Sequence, residues 1–311
     1  MVTEAKRVRT VRVDHQDGEI ELPIIELGEG EGPTLSVVAG LHGCEFAGIE
    51  AARRLVAELE DQPPTGTLRV VPVANLPAFF ERSEWVCPVD GKNPNRVFPG
   101  DPDGSYTEAL AATIMREVVS GSDVVLDIHG GDIFEALVPY SGLRANDDPD
   151  LVARTEELAR VYDLPFVVRT DALPGQVPGQ GPLTEAALAE GIPAVLHESG
   201  GLAALDEEAI ATHVKGMYNT LRHLDMLDGA PDVDDRQRSL RSEFWRVRQG
   251  GLFYGTADLG DEVAQGQAIG VVRDVFGREI ERLEAPRNAW IIAVVECLSC
   301  KPDGIVYQVA Y

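Results

Sequence analysis

Lysine is scarce in this chain of 311 residues: only Lys6, Lys92, Lys215 and Lys301 occur, and 27 basic residues in all stand against 52 acidic ones. A formal net charge of −25 repels phosphate backbones, so no nucleic-acid partner is expected. Such a surface also repels itself unless molar salt shortens the screening length to about 3 Å, which points to a halophilic host with a salt-rich cytoplasm. Cysteine is nearly absent too. Cys44, Cys87, Cys297 and Cys300 are too few and too scattered to staple a fold, in agreement with a reducing compartment. No run approaches the roughly 18 consecutive apolar residues of a membrane span. The opening MVTEAKRVRTVRVDHQDGEIELP has no apolar core of a secretory leader. The expectation is a cytoplasmic protein without a membrane partner, for which a homo-oligomer is left open.

What is present is a chain that is 44% hydrophobic, enough to bury one large domain and a smaller one. Continuous apolar runs at 34–39, 68–73, 124–128 and 192–196 are rich in valine or isoleucine and read as buried strands. Between and after them, apolar residues three or four apart predict helices through Ile49, Ala52, Val56 and Leu59, through Leu110, Ile114 and Val118, and through Ile210, Val214, Met217, Leu221 and Leu224. Strands alternating with amphipathic helices imply an α/β fold, a mostly parallel sheet flanked by helices with its site at the strand ends. The acidic stretch DMLDGAPDVDDRQR at 225–238 breaks the periodicity and reads as a linker. The expected division is a catalytic domain at 1–235 and a small all-β domain at 236–311, the latter from short β-prone runs between Gly, Asp and Pro turns.

In VVAGLHGCEFAGIEAARRL, His42 and Glu45 follow a predicted strand and precede a helix, so one turn can present both as nitrogen and oxygen ligands to zinc. In VVLDIHGG, His129 ends a second strand, and the glycines after it permit close approach. Three ligands would leave a fourth position open for water, as a catalytic zinc requires. Asp127 shares a strand face with His129 and reads either as its hydrogen-bond partner or as a loop-bonding aspartate. In AVLHESGG, His197 and Glu198 face opposite ways, so only one points into the site. Glu198 is chosen, because the water needs a carboxylate to accept its proton and return it to a leaving amine; His197 is the fallback. In the irregular loop PVDGKNPNRVFPG, Arg96 offers a bidentate grip on a carboxylate and Asn95 a further hydrogen bond.

LHGCE, DGKNPNRVFPG, DIHGG and HESGG in this order resemble the succinylglutamate desuccinylase and aspartoacylase family, a branch related to zinc carboxypeptidases. The resemblance implies a zinc-carboxypeptidase-like fold, with a mixed, mostly parallel sheet, and one zinc ion per chain on His42, Glu45 and His129. It also implies catalysis by Glu198 and substrate contacts at Asn95 and Arg96. The C-terminal segment is similar to the family's barrel-sandwich module but has only Lys301, in the turn KPDG, as a lysine for a carrier group. The sequence departs from the family pattern at Asn93-Pro94-Asn95-Arg96 and at Arg82-Ser83-Glu84-Trp85, where Trp85 stands near the place of an expected arginine and Arg82 is offered as its substitute. The expected reaction is hydrolysis of a small N-acyl amino acid or related amine. The alternative is a zinc carboxypeptidase acting on short peptides. A more distant one is a thiol-disulfide oxidoreductase built on the Cys297–Cys300 pair.

Overall fold

The computed structural model describes residues 6–170, 179–234 and 236–311. Four parallel strands form its centre, in the order Thr65–Val71, Glu29–Ala39, Val124–His129 and Ala194–Glu198. These are the continuous apolar runs, and they are continuous because both faces are covered. Along Val124–His129 the pleat sends Val124, Leu126 and Ile128 into one hydrophobic cluster and Val125 into another on the opposite face.

The first cluster is closed by the helices Phe46–Leu59 and Glu207–His223, which bury Ala51, Leu55 and Leu59 from one and Ile210, Met217 and Leu221 from the other. The second helix begins where Asp206 accepts hydrogen bonds from the backbone N–H groups of Glu208 and Ala209, and it ends with Arg222 and His223 beside its free carbonyls. The second cluster is closed by Tyr106–Ile114 and Leu183–Ala189. The first of these starts with a capping box between Ser105 and Glu108 and continues as a π turn over Met115–Val119.

Antiparallel ladders extend the centre on both sides. The hairpin of Lys6–Val13 and Ile20–Leu27 joins Thr65–Val71 at one edge. At the other, Tyr140–Arg144 runs antiparallel to Ala194–Glu198, followed by Phe166–Thr170 in parallel. A mostly parallel sheet therefore describes the four central strands and not the whole: the fold is mixed α/β. Short turns cannot return a strand in parallel, so the hairpins at the flanks pair antiparallel.

The sheet does not stop at the linker. Arg238–Arg246 pairs in parallel with Phe166–Thr170, and Ile305–Ala310 and Ala289–Val295 follow antiparallel. A second sheet, in the order Glu279–Glu284, Ala268–Arg273, Gly251–Gly255 and Ser299–Cys300, shares with these strands a core that includes Trp245, Phe253, Ile269, Ile291 and Tyr307. Between His223 and Arg238 the described residues form neither helix nor strand. Asn219 ties this stretch down through two 2.9 Å hydrogen bonds with the backbone of Asp232. The domain boundary expected at 235/236 falls on Asp235, which lies outside the described residues. No helix among the described residues is long and apolar enough to cross a membrane.

Candidate metal centre and active site

The turn after Glu29–Ala39 carries His42 and Glu45 to the start of the helix Phe46–Leu59. Gly43 makes this turn possible: a Cβ there would lie 2.2 Å from the backbone of Ala78, where the short helix Leu76–Glu81 closes over it. His129 arrives from the end of the adjacent strand. The glycines that follow it are equally constrained, since a Cβ on Gly131 would lie 2.1 Å from the carbonyl oxygen of Glu135.

The three side chains converge. Nδ1 of His42 and Nδ1 of His129 lie 2.7 and 2.8 Å from the two oxygens of Glu45. All three residues are buried, and one potential donor atom from each falls within 4.8 Å of the others. The remote ring nitrogens are held from behind, His42 Nε2 at 3.1 Å from Asn93 Oδ1 and His129 Nε2 at 3.0 Å from Asp127 Oδ1. With each Nε2–H donating to its oxygen, both Nδ1 lone pairs face the shared gap. Two imidazole nitrogens and a carboxylate, with the tautomers set by outer partners, fit a zinc ion that keeps a fourth position open. Burial would raise the Glu45 carboxyl, but the two imidazoles overcome it and hold it at about 2. Burial would likewise lower the His129 pKa, yet Asp127 and Glu45 drive it well above its usual value. That excess of negative charge is what a dication would balance.

Strand register decides which neighbours share the site. His129 stands opposite Glu198, and Glu198 opposite Tyr140. Paired residues project from the same face, so these three line one wall. His197 points the other way: its Nδ1 lies 3.0 Å from Ser141 Oγ, and its ring stacks on Tyr162 with centroids 3.5 Å apart. Beneath the site, His213 Nε2 donates to the carbonyl of His129 at 2.9 Å while Tyr162 donates to His213 Nδ1 at 2.8 Å. Burial lowers both His197 and His213, keeping this supporting layer neutral.

Metal donors and Glu198 open onto a cavity of about 550 Å³. Glu198 Oε2 is buried without a hydrogen-bond partner, and burial pushes its carboxyl well above the usual range. Arg96 also lines the cavity, its Nη1 donating to the carbonyl of Asn95 at 2.7 Å. Asn95 is buried and committed: Oδ1 accepts from the Leu183 N–H at 2.8 Å and Nδ2 donates to Asp127 Oδ2 at 3.4 Å. It braces the carboxylate behind His129.

Several lining residues were not singled out from sequence as site members. Tyr140, Gly142 and Arg144 alternate along one strand and present one face to the cavity. Neither Arg96 nor Arg144 pairs with a carboxylate among the described residues; burial lowers both guanidiniums, and the charge of Arg144 adds to this for Arg96. Phe244, Ile305 and Gln308 from the C-terminal β segment complete the wall, Gln308 accepting from the Tyr140 hydroxyl at 3.2 Å. Asn93, Trp85 and Glu135 also line it. Asn93 and Trp85 lie in motifs quoted above, whereas Glu135 had no signal beyond its place after DIHGG.

Two sequence alternatives fare differently. Arg82 is exposed at the C-terminal end of the helix Leu76–Glu81 and does not line the cavity, whereas Trp85 does. Cys297 and Cys300 are free, and burial raises the Cys300 thiol, opposite to the shift a reactive thiolate needs.

Residues 31–224 match the succinylglutamate desuccinylase/aspartoacylase catalytic domain. The chain is 33% identical over 264 residues to the N-alpha-acetyl-L-2,4-diaminobutyric acid deacetylase of Halomonas elongata, an alignment covering 83% of this chain and 75% of that protein. The product-bound ectoine utilization protein EutE (DoeB) of Ruegeria pomeroyi superposes with a TM-score of 0.88 at 26% identity, covering 99% of this chain and 96% of the other. A succinylglutamate desuccinylase/aspartoacylase from Rhodobacter sphaeroides shares the fold with a TM-score of 0.87 at 24% identity, over 100% of this chain and 96% of that one. With the motifs, the geometry and these likenesses in agreement, the chain belongs to the succinylglutamate desuccinylase/aspartoacylase family.

Proposed function

We propose that this protein is a zinc-dependent hydrolase that cleaves the amide bond of a small N-acyl amino acid, releasing a carboxylate and a free amine. The observation that carries the reading is the gathering of three candidate metal donors, Glu198 with an oxygen that has no partner among the described residues, and two arginines that pair with no carboxylate there, on the wall of a single cavity. The names of the similar proteins, a deacetylase of an acetylated diamino acid and a desuccinylase/aspartoacylase, support the same chemistry.

A zinc ion held by His42, Glu45 and His129 would supply Lewis-acid polarisation of the acyl carbonyl and of the attacking water. Glu198 takes the proton from that water and delivers it to the departing nitrogen. A carboxyl drawn upward by burial is suited to both halves of this transfer, being a stronger base than usual and a usable acid at neutral pH. Arg96 and Arg144 grip the substrate carboxylate and fix the amide for attack. Asn93 and Asp127 hold the histidines, and Asn95 braces Asp127. The walls from Phe244, Ile305 and Gln308 leave the volume of a small molecule, which favours an acyl amino acid over a longer peptide.

The test is amine release from a panel of N-acetyl and N-succinyl amino acids beside short peptides, run in molar salt because of the net charge of −25. Release from the acyl amino acids that stops with chelator and returns with zinc is expected. Cleavage confined to peptides would move the protein to the carboxypeptidase reading, and release indifferent to chelator would remove the metal from the mechanism.

A further inference from the structure

We propose that Glu135, together with Trp85, binds a positively charged group of the substrate, so that the cavity selects N-acyl amino acids carrying a second, free amine. The proposal rests on the deacylase reading and adds the residue that sets its substrate class.

Glu135 is firmly placed. Its N–H donates to the Asp132 carbonyl at 3.2 Å, its own carbonyl accepts from the Leu202 N–H at 3.0 Å, and it opens the short strand Glu135–Leu137. Glu135 lines the cavity that His42, Glu45 and Trp85 also line. No lysine, arginine or histidine forms an ion pair with it among the described residues, and it is not one of the three converging metal donors. The neighbouring Asp132 is already spoken for: its oxygens accept from the backbone N–H groups of Trp85 and Ile133, both at 2.7 Å. A carboxylate withdrawn from water without a cation is unfavourable, and a chain keeps such a group where a ligand supplies the missing charge.

Trp85 strengthens the case. Its backbone adopts a left-handed conformation with φ at 50°, held by the hydrogen bond to Asp132, and its side chain lines the same cavity. An aromatic residue and a carboxylate lining one cavity suit an ammonium, to which they can offer a charged hydrogen bond and a cation–π contact.

The cavity holds charges of both signs: Arg96 and Arg144 line it together with Glu135, Glu198 and the candidate metal donors. A substrate with its carboxylate on the arginines and its acyl amide at the metal donors would present a side-chain ammonium to Glu135.

The test compares zinc-loaded wild type and Glu135→Gln on Nα-acetyl-2,4-diaminobutyrate and on its uncharged counterpart, Nα-acetyl-2-aminopentanoate. Wild type should favour the charged substrate in kcat/KM by about tenfold or more. Glu135→Gln should erase that preference by raising KM for the charged substrate, with kcat and the uncharged substrate changed less than about threefold. Equal losses on both substrates, or no loss on either, would overturn the proposal while leaving the deacylase reading in place. If wild type cleaves neither compound, the panel of acyl amino acids decides the deacylase reading and calorimetry decides the proposal separately. Free 2,4-diaminobutyrate binding more weakly to Glu135→Gln supports it, and equal binding overturns it.

Discussion

Glu198 and Glu281 both turn a carboxylate away from water, one at the end of a central strand and the other in the C-terminal β segment. Glu281 is fully occupied. It accepts backbone hydrogen bonds from Arg248 at 3.0 and 3.1 Å and from Gln249 at 2.9 Å, and burial is overcome so that its carboxyl falls below the usual range. Glu198 has a buried oxygen with no partner, and its carboxyl rises. The same side chain is a structural bolt in one place and, in the proposed mechanism, a poised base in the other. Backbone N–H groups left free by a turn make the first, and burial with like charges nearby makes the second.

The difference extends to the two regions as wholes. Around the central strand ends, buried polar groups such as Asn75, Asn95, Asp127, His129, Asp132, His197 and His213 are dense. The core of the C-terminal segment is apolar, with Trp245, Phe253, Val263, Ile291 and Val309, and it lends the site only a wall.

Substitutions can break or sharpen this contrast. The largest effect is expected at the donors: His129→Ala should lose both bound zinc, read by elemental analysis, and all measurable turnover, because two donors cannot hold the ion. Asp127→Ala, which removes only the outer partner, should weaken zinc affinity by about tenfold to a hundredfold in a competition titration with a chelator. Arg144→Ala should raise KM for an acyl amino acid by about tenfold to a hundredfold with a smaller change in kcat, since it loses a charged hydrogen bond to the substrate. Glu281→Gln should do the reverse, costing about 1–3 kcal/mol in denaturant unfolding while leaving kinetics intact.

The smallest effect is in the pH dependence of stability of the chelator-treated protein, and its sign differs between the regions. Burial raises Glu135 from 4.5 to about 7 and Asp132 from 3.8 to about 6. The folded state therefore keeps protons that the unfolded chain has released. Their contribution is fully present below the unfolded values and is lost as pH rises through about 6 to about 7. Glu281, with its pKa lowered, stabilises above its unfolded value and loses that contribution as pH falls. Glu135→Gln should flatten the neutral slope, and Glu281→Gln the acidic one, in chemical denaturation measured from pH 3 to pH 8.

The proposed donors, the proposed base and Arg96 could be picked out from the sequence because each sits in a motif beside a continuous apolar run or in one irregular loop, and the structure brings them to one cavity. Parallel pairing then brings His129 level with Glu198. Asp127 proves to be the outer partner of His129, one of the two roles its position allowed. Arg144 was hidden because YSGLR is short, interrupted by Gly142, and flanked by no apolar run. Glu135 opens a strand of three residues, and Trp85 lies in an irregular segment held to Asp132 by a contact across 47 residues. The wall from Phe244 and Gln308 requires Arg238–Arg246 to pair in parallel with Phe166–Thr170 across the linker, which no local pattern announces. How far antiparallel pairing extends through the mixed sheet was hidden for the same reason: the antiparallel register of Tyr140–Arg144 is set by tertiary packing.

Glu198→Gln carries the central claim, that a metal centre and a separate carboxylate divide the work. Zinc content and amine release are measured on the same preparation. One zinc per chain with turnover reduced by about a thousandfold is the predicted result. Turnover near that of wild type would contradict the assignment of the base, and loss of the zinc would make Glu198 a ligand instead.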